Sequence, residues 1–266
     1  MSSAESFTDL HLTYIDEPSA HQLILQAAAL GYSVVVLTYT AFSDDFSMAK
    51  PKGDKSTLKA ASPNPIVLLP ESLTVNSCLG TPMKIFRRLS VPVADPRVYH
   101  HLANHPLCKT FDVVSVAPSD ERLLQQALDD VNVDIIELDL GAKHTINLKR
   151  KHARQAQANG KFFEVCYRTA LGGADTRGIF FANCRRLLGD LNPGDCGKVP
   201  DVVVLSSGAA DASLMRSPLE LGFLCELFGF PRPFQQHLNT RTARQALESA
   251  LAKRRTARNA IQIILE

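Results

Sequence analysis

Several large functional classes are excluded by what the sequence lacks. Its six cysteines, at 78, 108, 166, 184, 196 and 225, include no CxxC pair, so dithiol redox and zinc-ribbon spacings are missing and a reducing compartment is expected. No uninterrupted apolar run approaches the roughly 18 residues needed to span a bilayer. No basic start followed by an apolar core marks a secretory leader, so a soluble chain with no membrane partner is expected. There is no GxSxG nucleophile elbow, no GxxxxGK[ST] phosphate loop and no internal repeat.

What is present is a regular alternation of strand and helix signals over 266 residues. A chain near this size buries about 75% of the surface its unfolded form exposes, so it needs no metal or disulfide staple. Organisation centres on Lys161 to Ser207. The aromatic and branched run Lys161 to Tyr167 reads as a strand, Gly172-Gly173 breaks it, and a helix opens at Asp175 and ends at Gly189. A linker from Asp190 to Pro200 precedes Asp201 to Leu205, apolar enough for a strand covered on both faces. A right-handed crossover makes the two strands parallel and brings the loops Arg168 to Thr176 and Ser206 to Arg216 to one carboxyl edge, where function is sought.

In chain order, strands are expected at Phe7 to Leu12, Ser33 to Thr38, Ile66 to Leu69, Lys84 to Val91, Phe111 to Val116 and Asp134 to Leu140. Helices start at Pro18-Ser19, at a Ser119 cap, at the Ser217-Pro218-Leu219-Glu220 capping box and at Asn239 or Thr240. Residues 43 to 65 read as a mobile surface insertion. This rhythm and length fit a single-domain β/α barrel over 1 to 266.

Charge is uneven. Residues 1 to 142 carry a net −7 and residues 143 to 266 a net +9, which suits a polyanion or an acidic partner meeting the second half, or else a solvated face. Lys149, Arg150 and Lys151 open the densest basic cluster at a helix start, where cations oppose the helix dipole and so favour an anionic partner. Within Lys84 to Val91, alternation puts Lys84, Phe86, Arg88 and Ser90 on the more polar face, expected to line the barrel interior. Arg88 is then either a buried cation satisfied by Asp9 or Glu137, or a ligand-facing group.

A metal hydrolase finds little support. Strand one ends Asp9-Leu10-His11, but strand two ends Leu37-Thr38-Tyr39-Thr40 and the last strand Ser206-Ser207-Gly208-Ala209, without imidazole or carboxylate. A lone His11 reads more readily as a hydrogen-bonded core residue than as a ligand.

Leu30 to Val35, Lys84 to Leu89, Phe111 to Val114, Phe163-Glu164 with Tyr167, Arg177, Ser206 to Ala209, Arg216 to Pro218 and Gly229 together carry a resemblance by their order and spacing. The chain resembles the barrel-shaped protein subunit shared by eukaryotic ribonuclease P and ribonuclease MRP, a family related to the PHP phosphoesterases. That resemblance implies a TIM-like, PHP-type α/β barrel with no cofactor, no resident metal and no catalytic residue of its own. It implies a nuclear and nucleolar particle in which RNA performs the phosphodiester chemistry on precursor tRNA or precursor rRNA. The implied partners are the RNase P or MRP RNA, a small α/β subunit and other proteins of the particle. Against the PHP pattern, Asp9 stands for the first histidine of His-x-His, and the strand-two Asp-His and final Asp-x-His are missing. Against the subunit family, the chain departs chiefly by insertions at 43 to 65 and 190 to 200. The resemblance assigns Arg88, Tyr167, Arg177, Ser206, Ser207 and Arg216 to RNA binding or assembly. Lys149, Arg150 and Lys151 are added on charge alone. Tyr167 either offers a stacking face to RNA or packs in the core with its hydroxyl satisfied. The competing reading is a divergent PHP-type metal-dependent phosphoesterase with a partial site at Asp9, His11 and Glu137.

Overall fold

The sheet that carries every later feature is parallel throughout and runs β1-β2-β3-β4-β5-β6-β7 in sequence order. A computed structural model describes residues 6–41, 75–104, 106–143, 146–191, 201–231, 237–257 and 261–262. The strands are β1 (Thr8–Thr13), β2 (Val34–Thr40), β3 (Lys84–Val93), β4 (Val113–Pro118), β5 (Ile135–Leu138), β6 (Phe162–Cys166) and β7 (Val203–Ser206). Helices α1 (Glu17–Leu30), α2 (Arg97–Asn104), the one-turn α3 (Pro106–Lys109), α4 (Glu121–Asp129), α5 (Arg150–Ala158), α6 (Ala174–Leu191) and α7 (Pro218–Phe228) surround it, and α8 (Arg241–Arg255) follows. The sheet closes on itself where Leu12 bridges Ala209 in parallel and the Thr13 N–H donates to Ala209 O at 2.7 Å. This is the β/α barrel expected, with seven strands.

Helix ends follow the sequence. Asp16 accepts from Ser19 N at 2.8 Å and Gly31 ends α1 at φ 98°, a conformation that favours glycine. Ser217 and Glu220 form the capping box of α7, with Pro218 in its first turn and Gly229 closing it at φ 90°. The expected Ser119 cap is corrected to Asp120, whose carboxylate accepts from Leu123 N at 2.8 Å. Strand β5 stops at Leu138 rather than Leu140, because Leu140 N turns back to Leu138 O and Asp139 Oδ1 takes Gly141 N. Helix α6 runs through Gly189 to Leu191, two residues into the expected linker. The rest of that linker, the 43 to 65 insertion and the strand expected at Ile66 to Leu69 lie outside the described residues.

The interior is layered. Leu10, Val36, Val113, Ile135, Phe162 and Val204, near the strand starts, form one apolar cluster with Ala243, Ala246, Leu247 and Ala250 of α8, which covers the amino end of the barrel. The alanines let that helix approach closely. Its last turn is fastened by Asp134, which meets Lys253 Nζ at 3.2 Å and Arg254 Nη2 at 2.9 Å. Beside it Lys161 Nζ donates to Val133 O at 2.9 Å and to Asp130 O; burial, then the charge of Lys253, push its ammonium down to about 8. With the amino end sealed, the polar residues further along the strands face the carboxyl end.

Candidate functional site

Arg88 occupies the centre of that polar layer, fully buried. Five bonds match the five donors of its guanidinium. Nε donates to Ser115 Oγ at 2.7 Å, Nη1 to Leu10 O at 2.9 Å and to Glu164 Oε1 at 2.7 Å, and Nη2 to Glu137 Oε1 at 2.9 Å and Glu164 Oε2 at 2.5 Å. On the face of β3 predicted to point inward, Arg88 and Ser90 are buried and Phe86 packs against the interior cluster, whereas Lys84 at the strand start is exposed; the partners of Arg88 are Glu137 and Glu164, and Asp9 takes no part. Burial alone would raise the Glu164 carboxyl, but the Arg88 charge, then His11, outweigh it and hold it well below the carboxylate range. Burial likewise works against ionising Glu137, and Arg88 again prevails. Burial disfavours the guanidinium too, yet Glu164 and then Glu137 hold its pKa above the ordinary arginine value.

His11 reaches this layer because the β1 register slips between Asp9 and Leu12, so both Leu10 and His11 face inward. Its Nδ1 lies 3.1 Å from Glu164 Oε2 and 3.5 Å from Cys166 Sγ. These three side chains bring donor atoms within 4.8 Å of one another, yet they do not fit a resident metal ion. Both Glu164 oxygens are taken by Arg88, with Ser206 Oγ also on Oε1 at 2.7 Å. Burial, then the charges of Glu164 and Glu137, hold the Cys166 thiol well above its usual range, where it is neither nucleophile nor good ligand. Asp9 turns away, its Oδ1 accepting from His11 N at 3.0 Å and Ser207 N at 3.1 Å.

Among the residues singled out from sequence, Arg88, Tyr167, Ser206 and Ser207 are buried and hold the frame. Ser206 bonds Glu164 inside the barrel. Ser207 Oγ donates to His11 O at 3.0 Å and accepts from Ala209 N at 3.1 Å, stitching β7 to β1. Tyr167 leaves no ring face exposed for stacking; its hydroxyl accepts from Arg216 N at 3.0 Å, while Tyr32 Oη donates to Arg216 O at 2.9 Å. The two tyrosines thus grip one peptide unit on each side of Arg216. Gly172 has φ −72°, so the chain break after β6 does not draw on glycine's left-handed freedom there.

Lys149, Arg150, Lys151 and Arg177 are exposed and Arg216 is half-buried. All five follow strand ends, at the N-cap and first turn of α5, the start of α6 and the loop after β7, hence the carboxyl edge. Arg177 donates to Ala170 O and Gly172 O at 3.0 Å each, and Arg216 Nη1 to Ser213 O at 2.8 Å and Met215 O at 2.7 Å. Those bonds consume donors but leave the positive charges in place. Lys149 N donates to His152 Nδ1 at 3.2 Å, and burial, then Lys151, push that imidazole down, consistent with a neutral cap on a first turn that has no acidic residue. Arg168, exposed directly after Tyr167 on the same edge, was missed; its place in the loop after a glycine-bounded strand was the available signal. A cleft of about 140 Å³ has a mostly apolar lining from β5, the connection after it and α6; its charged groups are Glu137, Asp139, Asp190 and Arg186, a net negative set that does not suit phosphate.

A closed β/α barrel with an ion-paired interior and a cationic carboxyl edge is therefore the class of protein defined here. The RNase P subunit p30 family matches residues 6–255, and the chain belongs to it. It is 29% identical over 226 residues to mouse ribonuclease P protein subunit p30, covering 84% of this chain and 78% of that protein. It is 26% identical over 230 residues to ribonuclease P protein subunit drpp30 of Dictyostelium discoideum, covering 84% of this chain and 58% of the relative. Only 31% of the Arabidopsis thaliana protein GAMETOPHYTE DEFECTIVE 1 is spanned, so the chain covers less than two thirds of two of these relatives. In fold it is similar to a chain of an archaeal ribonuclease P solved with mature tRNA, with a TM-score of 0.62 and 17% identity over 97% of this chain and 98% of that one. Among the described residues, no helix is long and apolar enough to cross a membrane.

Proposed function

We propose that this chain is a non-catalytic protein subunit of ribonuclease P or ribonuclease MRP. In this reading it supports the RNA fold and assembly of a nuclear and nucleolar particle that processes precursor tRNA 5′ ends and precursor rRNA. Its partners are the RNase P or MRP RNA, through the cationic edge, and proteins of the particle, a small α/β subunit among them. Family membership over most of the chain supports this reading. The observation that carries it is the Arg88 pair: carboxylates that would hold a metal or move a proton are spent on a buried guanidinium. The divergent phosphoesterase expected at Asp9, His11 and Glu137 does not find those three together; it would have to rest on His11, Glu164 and Cys166 instead, and needs Arg88 out of the way.

The test is affinity purification of the tagged full chain from its own cells, with sequencing of bound RNA. Enrichment of RNase P or MRP RNA is expected. An RNA-free preparation whose manganese- or zinc-dependent phosphodiesterase activity is lost in His11→Ala would overturn the reading.

A further inference from the structure

Helix α7 presents three large apolar side chains to solvent: Leu219 at 80% exposure, Phe223 at 74% and Leu227 at 60%. Spaced four apart, they form one stripe along the helix. Its other face is fixed by Leu221, Cys225 and Phe228, which are buried, the Phe228 ring meeting Phe180 edge-on at 5.0 Å. With the capping box at one end and Gly229 at the other, the stripe is held rigid. Packing among the described residues does not account for it, because the helix already has a buried face in Leu221, Cys225 and Phe228.

We infer that the Leu219-Phe223-Leu227 stripe docks a different protein, through an apolar ridge flanked by lysine or arginine. The inference rests on the reading of the chain as a subunit of a particle. Charge supplies the partner's chemistry. Helix α7 contains Glu220 and Glu226, both exposed, and no cation, although this half of the chain is basic overall. A second copy docking by two-fold symmetry would set these glutamates against their own images, which costs affinity. Size points the same way. Three side chains offer on the order of a few hundred Å², below the about 800 Å² per partner that a stable free-standing pair buries. Such a stripe suits a neighbour also held by other contacts within an assembly. It lies on the outer helical layer, leaving the cations of the βα loops to RNA.

The test replaces Phe223 with a photo-crosslinking phenylalanine analogue in the tagged full chain, irradiates the intact purified assembly and maps the joined peptides. The expected result is a crosslink to one other protein, at an apolar segment flanked by Lys or Arg. Glu220→Gln with Glu226→Gln, which keeps the capping geometry, should cut the yield about threefold as the charge match is lost. Phe223→Asp should remove that protein from the assembly while the chain still melts like wild type. Crosslinks to the chain's own residues 192–200 or 232–236, to a second copy, or to nothing would overturn the inference. RNA in the same preparation is sequenced. With RNase P or MRP RNA present, those outcomes defeat the docking inference alone; with no RNA, the functional reading falls and the inference with it.

Discussion

Arg88 and Glu164 meet as a two-pronged ion pair, Nη1 to Oε1 at 2.7 Å and Nη2 to Oε2 at 2.5 Å, although their strands β3 and β6 are separated in the sheet by β4 and β5. The pair therefore spans the barrel interior rather than a strand ladder. With Leu10 O, Ser115 and Glu137 on the same guanidinium, one side chain ties together β1, β3, β4, β5 and β6.

Removing one partner should hurt more than removing both. Arg88→Met leaves the buried Glu164 and the half-buried Glu137 without their cation, and a loss of about 3 to 5 kcal/mol is expected. Arg88→Met combined with Glu164→Leu should regain part of it, since the desolvated charges go together. Urea unfolding of the three proteins measures this. A double variant no more stable than the single one would mean that the pair is not the main use of Glu164.

Acid should weaken the fold through the same residues. The Glu164 carboxyl is lowered in the folded state from its ordinary 4.5, so the unfolded chain binds the proton more readily. Stability from this group is complete above about 4.5 and drains as pH falls toward and through the lower folded value. Urea midpoints from pH 7 to pH 3 should fall more steeply for wild type than for the Arg88→Met, Glu164→Leu double variant. Parallel curves would assign the acid sensitivity elsewhere.

Strand alternation alone carried Arg88 into the interior, because Phe86, Arg88 and Ser90 share a face whatever the barrel's details. Its main partner was not legible. Glu164 sits between Phe163 and Val165 like any strand residue, and only closure of the barrel brings β6 opposite β3. His11 is legible as a hydrogen-bonded core residue, and it is buried against Glu164; what the sequence does not show is the β1 bulge, which turns it to the same side as Leu10 against the alternation. Ser206, the last residue of β7, bonds Glu164, and Ser207, just past the strand, bonds His11 O, so a pattern that marked both could not separate the Glu164 contact from the β1 seam. Of the edge cations, the Lys149 cluster is visible in sequence as dense charge at a helix start, Arg177 and Arg216 enter only through the resemblance, and Arg168, a single charge in a loop, carries no such signal. The α7 stripe lies within a helix whose caps are legible in sequence, but Leu219, Phe223 and Leu227 alternate with equally apolar Leu221, Cys225 and Phe228, so only packing against α6 decides which face is left outside.

Glycine at 208 should be far less replaceable than glycine at 173. Gly208 has φ 62°, and a Cβ there would stand 3.0 Å from the Cys166 Cβ, whereas one at Gly173 meets nothing within 4 Å. Gly208→Ala combines left-handed strain with a clash at the β6–β7 edge, and a loss of roughly 1 to 3 kcal/mol is expected. Gly173→Ala should stay within about 0.5 kcal/mol of wild type. Thermal unfolding of the two variants compares them, and equal melting temperatures would show that the loop after β7 adjusts freely.

The Lys149, Arg150, Lys151 cluster separates an RNA role from a solvated face by opposite signs. At the start of α5 these cations oppose the helix dipole, and no acidic residue shares that turn. Replacing all three with alanine should leave the melting temperature within about a degree or two of wild type, or raise it slightly, because exposed cations contribute little to folding. RNA affinity should move the other way. Each phosphate contact releases condensed counterions, so losing the cluster should weaken binding and flatten its salt dependence by roughly two units of slope for single-stranded or irregular RNA. The titration is run on the chain together with its co-purifying proteins, using the RNA recovered with them. Weaker, less salt-dependent binding at unchanged stability would locate an RNA contact at the start of α5. Identical affinity and slope would reduce the cluster to a solvated face and shift attention to Arg168, Arg177 and Arg216 on the same edge.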